Sequence, residues 1–289
     1  MKCSLNKFYR SIGTSKQAFH VKYTRYKQSQ EELGYLHLIV NEVRKDHPGM
    51  SLRDLYHMIQ PTNLGRDRFE CYFSELGYGV SLRRSRRRTT DSTGVIRFPN
   101  LIAHKKLTAV NQVWVSDITY YRMGEKFYYL TFIMDLYSRR IVGHSISRTL
   151  LTNHTTIKAL QSALTTRGLR QIEGLILHSD GGGQYYSHEF RELTRKAKIV
   201  NSMGKSVYEN PHAERVNGII KNNYVRHYAP ETFNQLIPMT NKAVRMYNQE
   251  KPHKALNKLS PIQFEGKLFK WSKPVKKQKS KFEKRLLTV

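Results

Sequence analysis

The chain has 289 residues, enough to bury a sizeable core in one or two domains. Lysine and arginine total 50 against 22 acidic residues, a net charge of +28 that draws polyanions and makes nucleic acid the leading partner. No uninterrupted apolar run reaches the ~20 residues needed to span a bilayer. No signal-peptide pattern opens the chain, and Cys3 and Cys71 lack the spacing of a disulfide framework or zinc site.

Residues 1–82 read as helical. In "SLRDLYHMI", Ser51 is the expected N-cap and Leu52, Leu55, Met58 and Ile59 share one face. "RDRFECYFSELGYG" then repeats Phe69, Tyr72, Phe73 and Leu76 at helical spacing before Gly77 stops the run. Two short helices around a Gly-containing turn suggest a helix-turn-helix, with an ordinary helical hairpin as the alternative. Arg66 and Arg68 open the second helix, where they suit phosphate or base contacts. Residues 83–103 begin "RRSRRRTTDSTG", a basic linker in which Arg83, Arg84, Arg86, Arg87 and Arg88 repel one another and suit a DNA backbone.

Across residues 104–265 the pattern turns to strands. "QVWVSDITYY", "KFYYLTFIMD" and "IVGHSIS" are β-branched and aromatic runs separated by short turns, the first at Gly124, so an antiparallel meander is expected. "TNHTTIKALQSALTTRG" has helical spacing, "LILH" is a short buried strand, "SHEFRELTRKA" is a helix capped by Ser187, and "KIVNS" returns as a strand. With a further helix after Asn210, the order β-β-β-α-β-α-β-α predicts an α/β fold, a mixed sheet flanked by helices. Residues 266–289 read as a lysine-rich tail serving DNA contact or solubility.

Asp117 lies mid-strand in an apolar run, sharing its side with Val113, Val115 and Thr119. A desolvated carboxylate there is costly unless something positive compensates it. Asp180 ends the fourth strand, and Gly181, Gly182 and Gly183 let the backbone bend and approach a substrate. If the two strands are parallel neighbours, both acids meet at one sheet edge. In "ENPHAERVNGIIKNNY", Asn210 suits an N-cap and Pro211 the first helical position, so Glu214 falls in the opening turn. Lys221 follows seven residues later on nearly the same face, with Asn217 and Gly218 between, a surface suited to DNA phosphate. Three such acids can hold two Mg²⁺ ions, with Mn²⁺ as a substitute, because hard cations take oxygen ligands. No GxxxxGK[ST] follows the strand, so a P-loop is disfavoured. Asp135 in "IMDLYSRR" is the rival acid, more simply a turn residue, and His178 more simply donates a structural hydrogen bond.

At "NQVWVSDITY", "FIMDLYSRRIVGHSIS", "LHSDGGGQYY", "NSMGKSVYENPHAERVNGIIKNNY" and "YNQEKPHKALNKLSPIQFE" the chain resembles the DDE transposases of the IS3 family, relatives of retroviral integrases. "HPGMSLRDLYHMI" through "LGYG" is similar to the helix-turn-helix region that precedes their catalytic core. The resemblance implies an RNase H-like fold and metal-dependent DNA cleavage and strand transfer, that is, DNA integration of an insertion sequence. It puts the catalytic, metal-binding triad at Asp117, Asp180 and Glu214, and matches Lys221 to the family's DNA-contacting lysine. Terminal inverted repeats and target DNA are the implied partners, with a homo-oligomer in the synaptic complex, an upstream-frame fusion or partner, and a bacterial cytoplasmic or nucleoid location. Two alternatives use the same features: an RNase H-like nuclease without strand transfer, and a non-catalytic DNA-binding regulator of transposition.

Overall fold

The computed structural model describes residues 5–80, 98–168, 172, 174–204 and 209–272, with side chains as far as residue 268. The chain divides into two compact units, Met1–Arg83 and Arg84–Val289.

The first unit is all helical: α1 (Leu5–Ser11), α2 (Lys16–Asp46), α3 (Leu52–Ile59) and α4 (Arg66–Glu75). Ser51 caps α3, its hydroxyl accepting from the Asp54 N–H at 3.1 Å. Leu55, Phe69 and Phe73 are buried with Leu36, Val40 and Met50, so the apolar stripes of α3 and α4 close on the far half of α2. Leu76, placed on that stripe by its spacing, is exposed because α4 has already ended. The Arg44 guanidinium donates to the carbonyls of Pro48, Met50 and Tyr78, tying α2 to both ends of the α3–α4 segment.

The second unit is built on a five-stranded sheet: β1 (Val113–Met123), β2 (Lys126–Asp135), β3 (Ile141–Ser147), β4 (Ile176–Ser179) and β5 (Val200–Met203). The spatial order is β3-β2-β1-β4-β5. The first three strands pair antiparallel, while β4 and β5 join parallel to β1. This is the expected RNase H-like mixed sheet, in the expected order of elements.

Alternation along the strands separates two cores. Val113, Val115, Tyr121, Leu130 and Phe132 face α7 (Pro211–Ile219) and, beyond the short α8 (Arg226–Tyr228), α9 (Phe233–Gln249). Trp114, Ile133, Val142 and Leu177 face α5 (Thr156–Arg167) and α6 (His188–Lys196). Gly143 permits the close approach of α5: a Cβ there would lie 2.6 Å from the Ala163 nitrogen and 2.7 Å from its Cβ. The last helix, α10 (Pro261–Ser272), passes through Gly266, so helix continues beyond the boundary expected at residue 265. Glu265 anchors it, accepting from Arg140 at 2.7 Å and from Arg167 at 2.9 Å. Among the described residues no helix is long and apolar enough to cross a membrane.

Candidate active site

The parallel register of β1 and β4 runs Val113 opposite Ile176 through Ser116 opposite Ser179. Continued by one residue, it sets Asp117 beside Asp180, the first position past the end of β4. Both fall on the α7 side of the sheet by alternation, and α7 carries Glu214 in its first turn. The three carboxylates share one electrostatic field. Burial, then the charge of Asp180 and next that of Glu214, push Asp117 up to about 7. The Ile118 N–H and the Asn217 amide, each donating to Asp117 at 2.8 Å, pull the other way. Burial raises Asp180 against one donated hydrogen bond from the Gly182 N–H, and burial with the Asp180 charge raises Glu214.

None of the ion pairs among the described residues involves these acids. Nor, among the described residues, are three His, Cys, Asp or Glu side chains gathered tightly enough to hold a metal ion together. The donor chemistry nevertheless fits a divalent cation: oxygen-only ligands whose burial and mutual repulsion a positive ion would offset.

Several neighbours behave differently from their sequence expectation. Asn217, expected at DNA, is buried and spends its amide on Asp117, because the face of α7 that carries it packs on β1. Asn210 stands at the N-cap of α7 but makes no side-chain cap there; its amide donates instead to the Ser116 carbonyl at 2.9 Å, docking the helix start on the strand beside Asp117. Lys221 lies in a π-helical turn, Ile220–Val225, and its ammonium donates to Thr119 Oγ1 at 2.8 Å and the Tyr120 carbonyl at 3.3 Å. Burial lowers its pKa, and Arg226 adds to this, against the opposing charge of Asp117. The glycines after Asp180 do not use positive φ. Gly182 instead makes room, since a Cβ there would lie 3.1 Å from Asp180 Oδ1.

Tyr185 was not singled out by the sequence. Ser116 Oγ donates to the Phe132 carbonyl at 3.1 Å, so the buried Tyr185 hydroxyl is left to donate to Ser116 Oγ at 2.9 Å. That bond fastens the loop after Asp180 to the residue before Asp117. No local pattern announces it, because its meaning depends on β1 and β4 being neighbours.

Residues 108–207 match a family model described as "Integrase core domain", and residues 195–261 match a second model of the same description. The chain is 34% identical over 209 residues to the insertion element IS600 uncharacterized 31 kDa protein of Shigella sonnei, covering 71% of this chain and 76% of that protein. It is 29% identical over 205 residues to the putative transposase for insertion sequence element IS986/IS6110 of Mycobacterium tuberculosis strain H37Rv, covering 68% and 73%. Against transposase InsF for insertion sequence IS3A of Escherichia coli K12, identity is 32% over 161 residues, 54% of each chain. The chain belongs to the IS3-type DDE transposases. The transposase also aligns with the HTLV-2 integrase catalytic core domain in complex with magnesium, at 25% identity and a TM-score of 0.45, covering 53% of this chain and 95% of that one.

Asp135 and His178, the other candidates in this unit of the transposase, make structural hydrogen bonds. Asp135 is fully buried and serves a turn: its carboxylate accepts from the N–H groups of Tyr137 and Ser138, at 2.9 and 3.0 Å, and of Asn111, at 2.6 Å. His178 is buried with Nδ1 2.9 Å from Ser202 Oγ, on the neighbouring strand, and burial lowers its pKa. In the first unit Arg66 and Arg68 are exposed on the opening turn of α4, Arg66 paired with Asp67 at 2.7 Å. Arg83, Arg84, Arg86, Arg87 and Arg88 lie outside the described residues.

Proposed function

We propose that this transposase cuts DNA at the ends of its insertion sequence and joins the freed ends to target DNA, with Asp117, Asp180 and Glu214 as the metal-binding triad. The supporting observation is the β1–β4 register, which carries two carboxylates to one sheet edge in a partly buried setting without a compensating ion pair among the described residues. Two Mg²⁺ ions, replaceable by Mn²⁺, are the ions we assign to the triad. When bound, such ions supply a more acidic attacking hydroxyl and positive charge for the phosphate under attack.

The chain's own residues hold and orient the acids. Asn217 fixes one oxygen of Asp117, the Ile118 N–H fixes the other, and the Gly182 N–H holds Asp180. Lys221, whose ammonium rests on Thr119 two residues beyond Asp117, offers a cation to a passing phosphate. In the cleavage step, water attacks a phosphodiester and breaks the bond to the 3′ oxygen, leaving a 3′-hydroxyl and a 5′-phosphate. In the joining step that hydroxyl attacks a second phosphodiester and displaces another 3′-hydroxyl. One phosphodiester replaces another, so no external energy source is needed.

Residues 1–82 would then bind the terminal inverted repeats as a helix-turn-helix, through Arg66 and Arg68 among others. Residues 83–103 would track the backbone as a basic linker, residues 104–265 would carry catalysis, and residues 266–289 would add nonspecific charge. Two ends held together require a homo-oligomer in the synaptic complex, joined by an upstream-frame partner or fusion, in the bacterial cytoplasm at the nucleoid.

The test is strand transfer on duplexes ending in the element's inverted repeats, with Mg²⁺ or Mn²⁺. Asp117→Asn, Asp180→Asn and Glu214→Gln should each lower the joined product by about 10²–10³-fold or more. Full activity in all three would remove the triad assignment. Cleavage without joined molecules would make the chain an RNase H-like nuclease, and binding without cleavage, even with the upstream-frame product present, would make it a regulator.

A further inference from the structure

The β1–β2 hairpin carries three aromatic rings on the face away from α7. Tyr120 and Tyr129 are cross-strand partners, with ring centroids 5.2 Å apart at 70°. Phe127 lies on the diagonal, 6.4 Å from Tyr120 at 82°, and is 52% exposed. None of the three belongs to either hydrophobic cluster of this unit, because the covering by α5 stops short of them. On the opposite face Tyr128 stacks on Phe233 at 5.4 Å, beneath α9. A sheet face open to water ordinarily alternates to polar side chains. Adjacent aromatic rings there make a surface that gains by being covered.

The acid pair lies on the other, α7, side of the sheet, and the strip meets it where β1 runs beyond the end of β4. β4 ends at Ser179, opposite Ser116, so from Asp117 onward β1 has, among the described residues, a strand neighbour only in β2. Tyr120 follows Asp117 by about 10 Å of extended chain. Its phenol senses the charges of Asp180 and Asp117, after burial and Tyr129. Arg122, opposite Phe127 and on the same face, is exposed beside the rings. Arg122 pairs with Glu125 at 3.0 Å, an exposed contact of the weak kind that a phosphate can displace.

We propose that Tyr120, Tyr129 and Phe127 form a stacking platform for unpaired bases of a DNA end lying at Asp117 and Asp180. The inference rests on the transposition reading and adds what grips the strand there. Every base has a π-face, so such a platform accepts any sequence, while bases within an intact duplex are hidden in their own stack. The flanking Arg122 and the net charge of +28 favour a nucleic-acid strand over an apolar protein segment.

The experiment compares two probes in EDTA, where cleavage plays no part: a duplex with 2-aminopurine in a short unpaired end, and the same duplex fully paired. The intact transposase should bind the unpaired probe more tightly and quench its fluorescence. Phe127→Ala and Tyr129→Ala should each weaken the unpaired probe about tenfold while leaving the paired one within about twofold. Phe127→Leu, which keeps apolar volume without a ring, should fail as the alanine does, and Phe127→Tyr should retain the preference. Equal losses on both probes, or a leucine variant at full strength, would overturn the proposal. So would Phe127→Ala changing the sedimentation of the protein with both affinities unchanged, since the strip would then be a contact between copies. A preserved preference for unpaired ends in a protein that never joins DNA would instead remove the transposition reading and leave the platform.

Discussion

Asp117 shows how a candidate active site can set function against stability at a single residue. Its carboxyl, near 3.8 in an unfolded chain, stands at about 7 in the fold. Between those values the folded state holds a proton that the unfolded chain has released, so this group's contribution to stability falls as pH rises through about 7. A bound divalent cation reverses the preference, because it requires the ionised form. In EDTA at pH 8, Asp117→Asn should therefore melt above the wild type, with the difference shrinking toward pH 5, and added Mg²⁺ should raise only the wild type. The substituted amide can be accommodated, since Asn217 Oδ1 is buried without a partner and can turn to accept from it. A variant melting below the wild type at pH 8, followed by circular dichroism, would refute this account. The same residue exposes a limit of reading sequence: alternation assigned Asp117 its face, but the donors at Ile118 and Asn217 that orient its two oxygens came from the fold.

Two contacts between elements decide how the sheet is clothed. α5 crosses β3 at Gly143 so closely that a methyl group would press on the backbone of Ala159 and Ala163. Gly143→Ala should cost about 1–3 kcal/mol or more by overpacking, seen as a lowered urea midpoint with little change in slope. The second contact is ionic. Glu265 on α10, Arg167 at the end of α5 and Arg140 before β3 form a largely buried network that Asp135 approaches, 3.8 Å from Arg167. Removing Glu265 leaves Arg167 buried with its main partner gone, so Glu265→Ala should destabilise by about 3–5 kcal/mol in the same assay. "SPIQFE" showed a segment in a family block; only the packed elements show that its final acid is a structural anchor.

For the whole molecule the governing quantity is the charge of +28. Association with DNA should weaken as a power of salt concentration, with log K falling by about 0.9 for each phosphate neutralised per tenfold rise in salt. Titrations by fluorescence anisotropy at several salt concentrations check it, and a flat line would contradict a polyanion-binding surface. The strand and helix order of the second unit, the extents of β2 and β3, and the placement of Asp117 on β1, Asp180 at the end of β4 and Glu214 on α7 could all be read from the sequence, because period and punctuation are local properties of a chain. The arrival of Asp180 beside Asp117, the Tyr185–Ser116 fastening, the burial of Asn217 and the incompletely covered rings of Tyr120, Tyr129 and Phe127 could not. Each depends on which strands are neighbours and where a helix stops covering a face, and those are decided by packing between segments far apart in the chain.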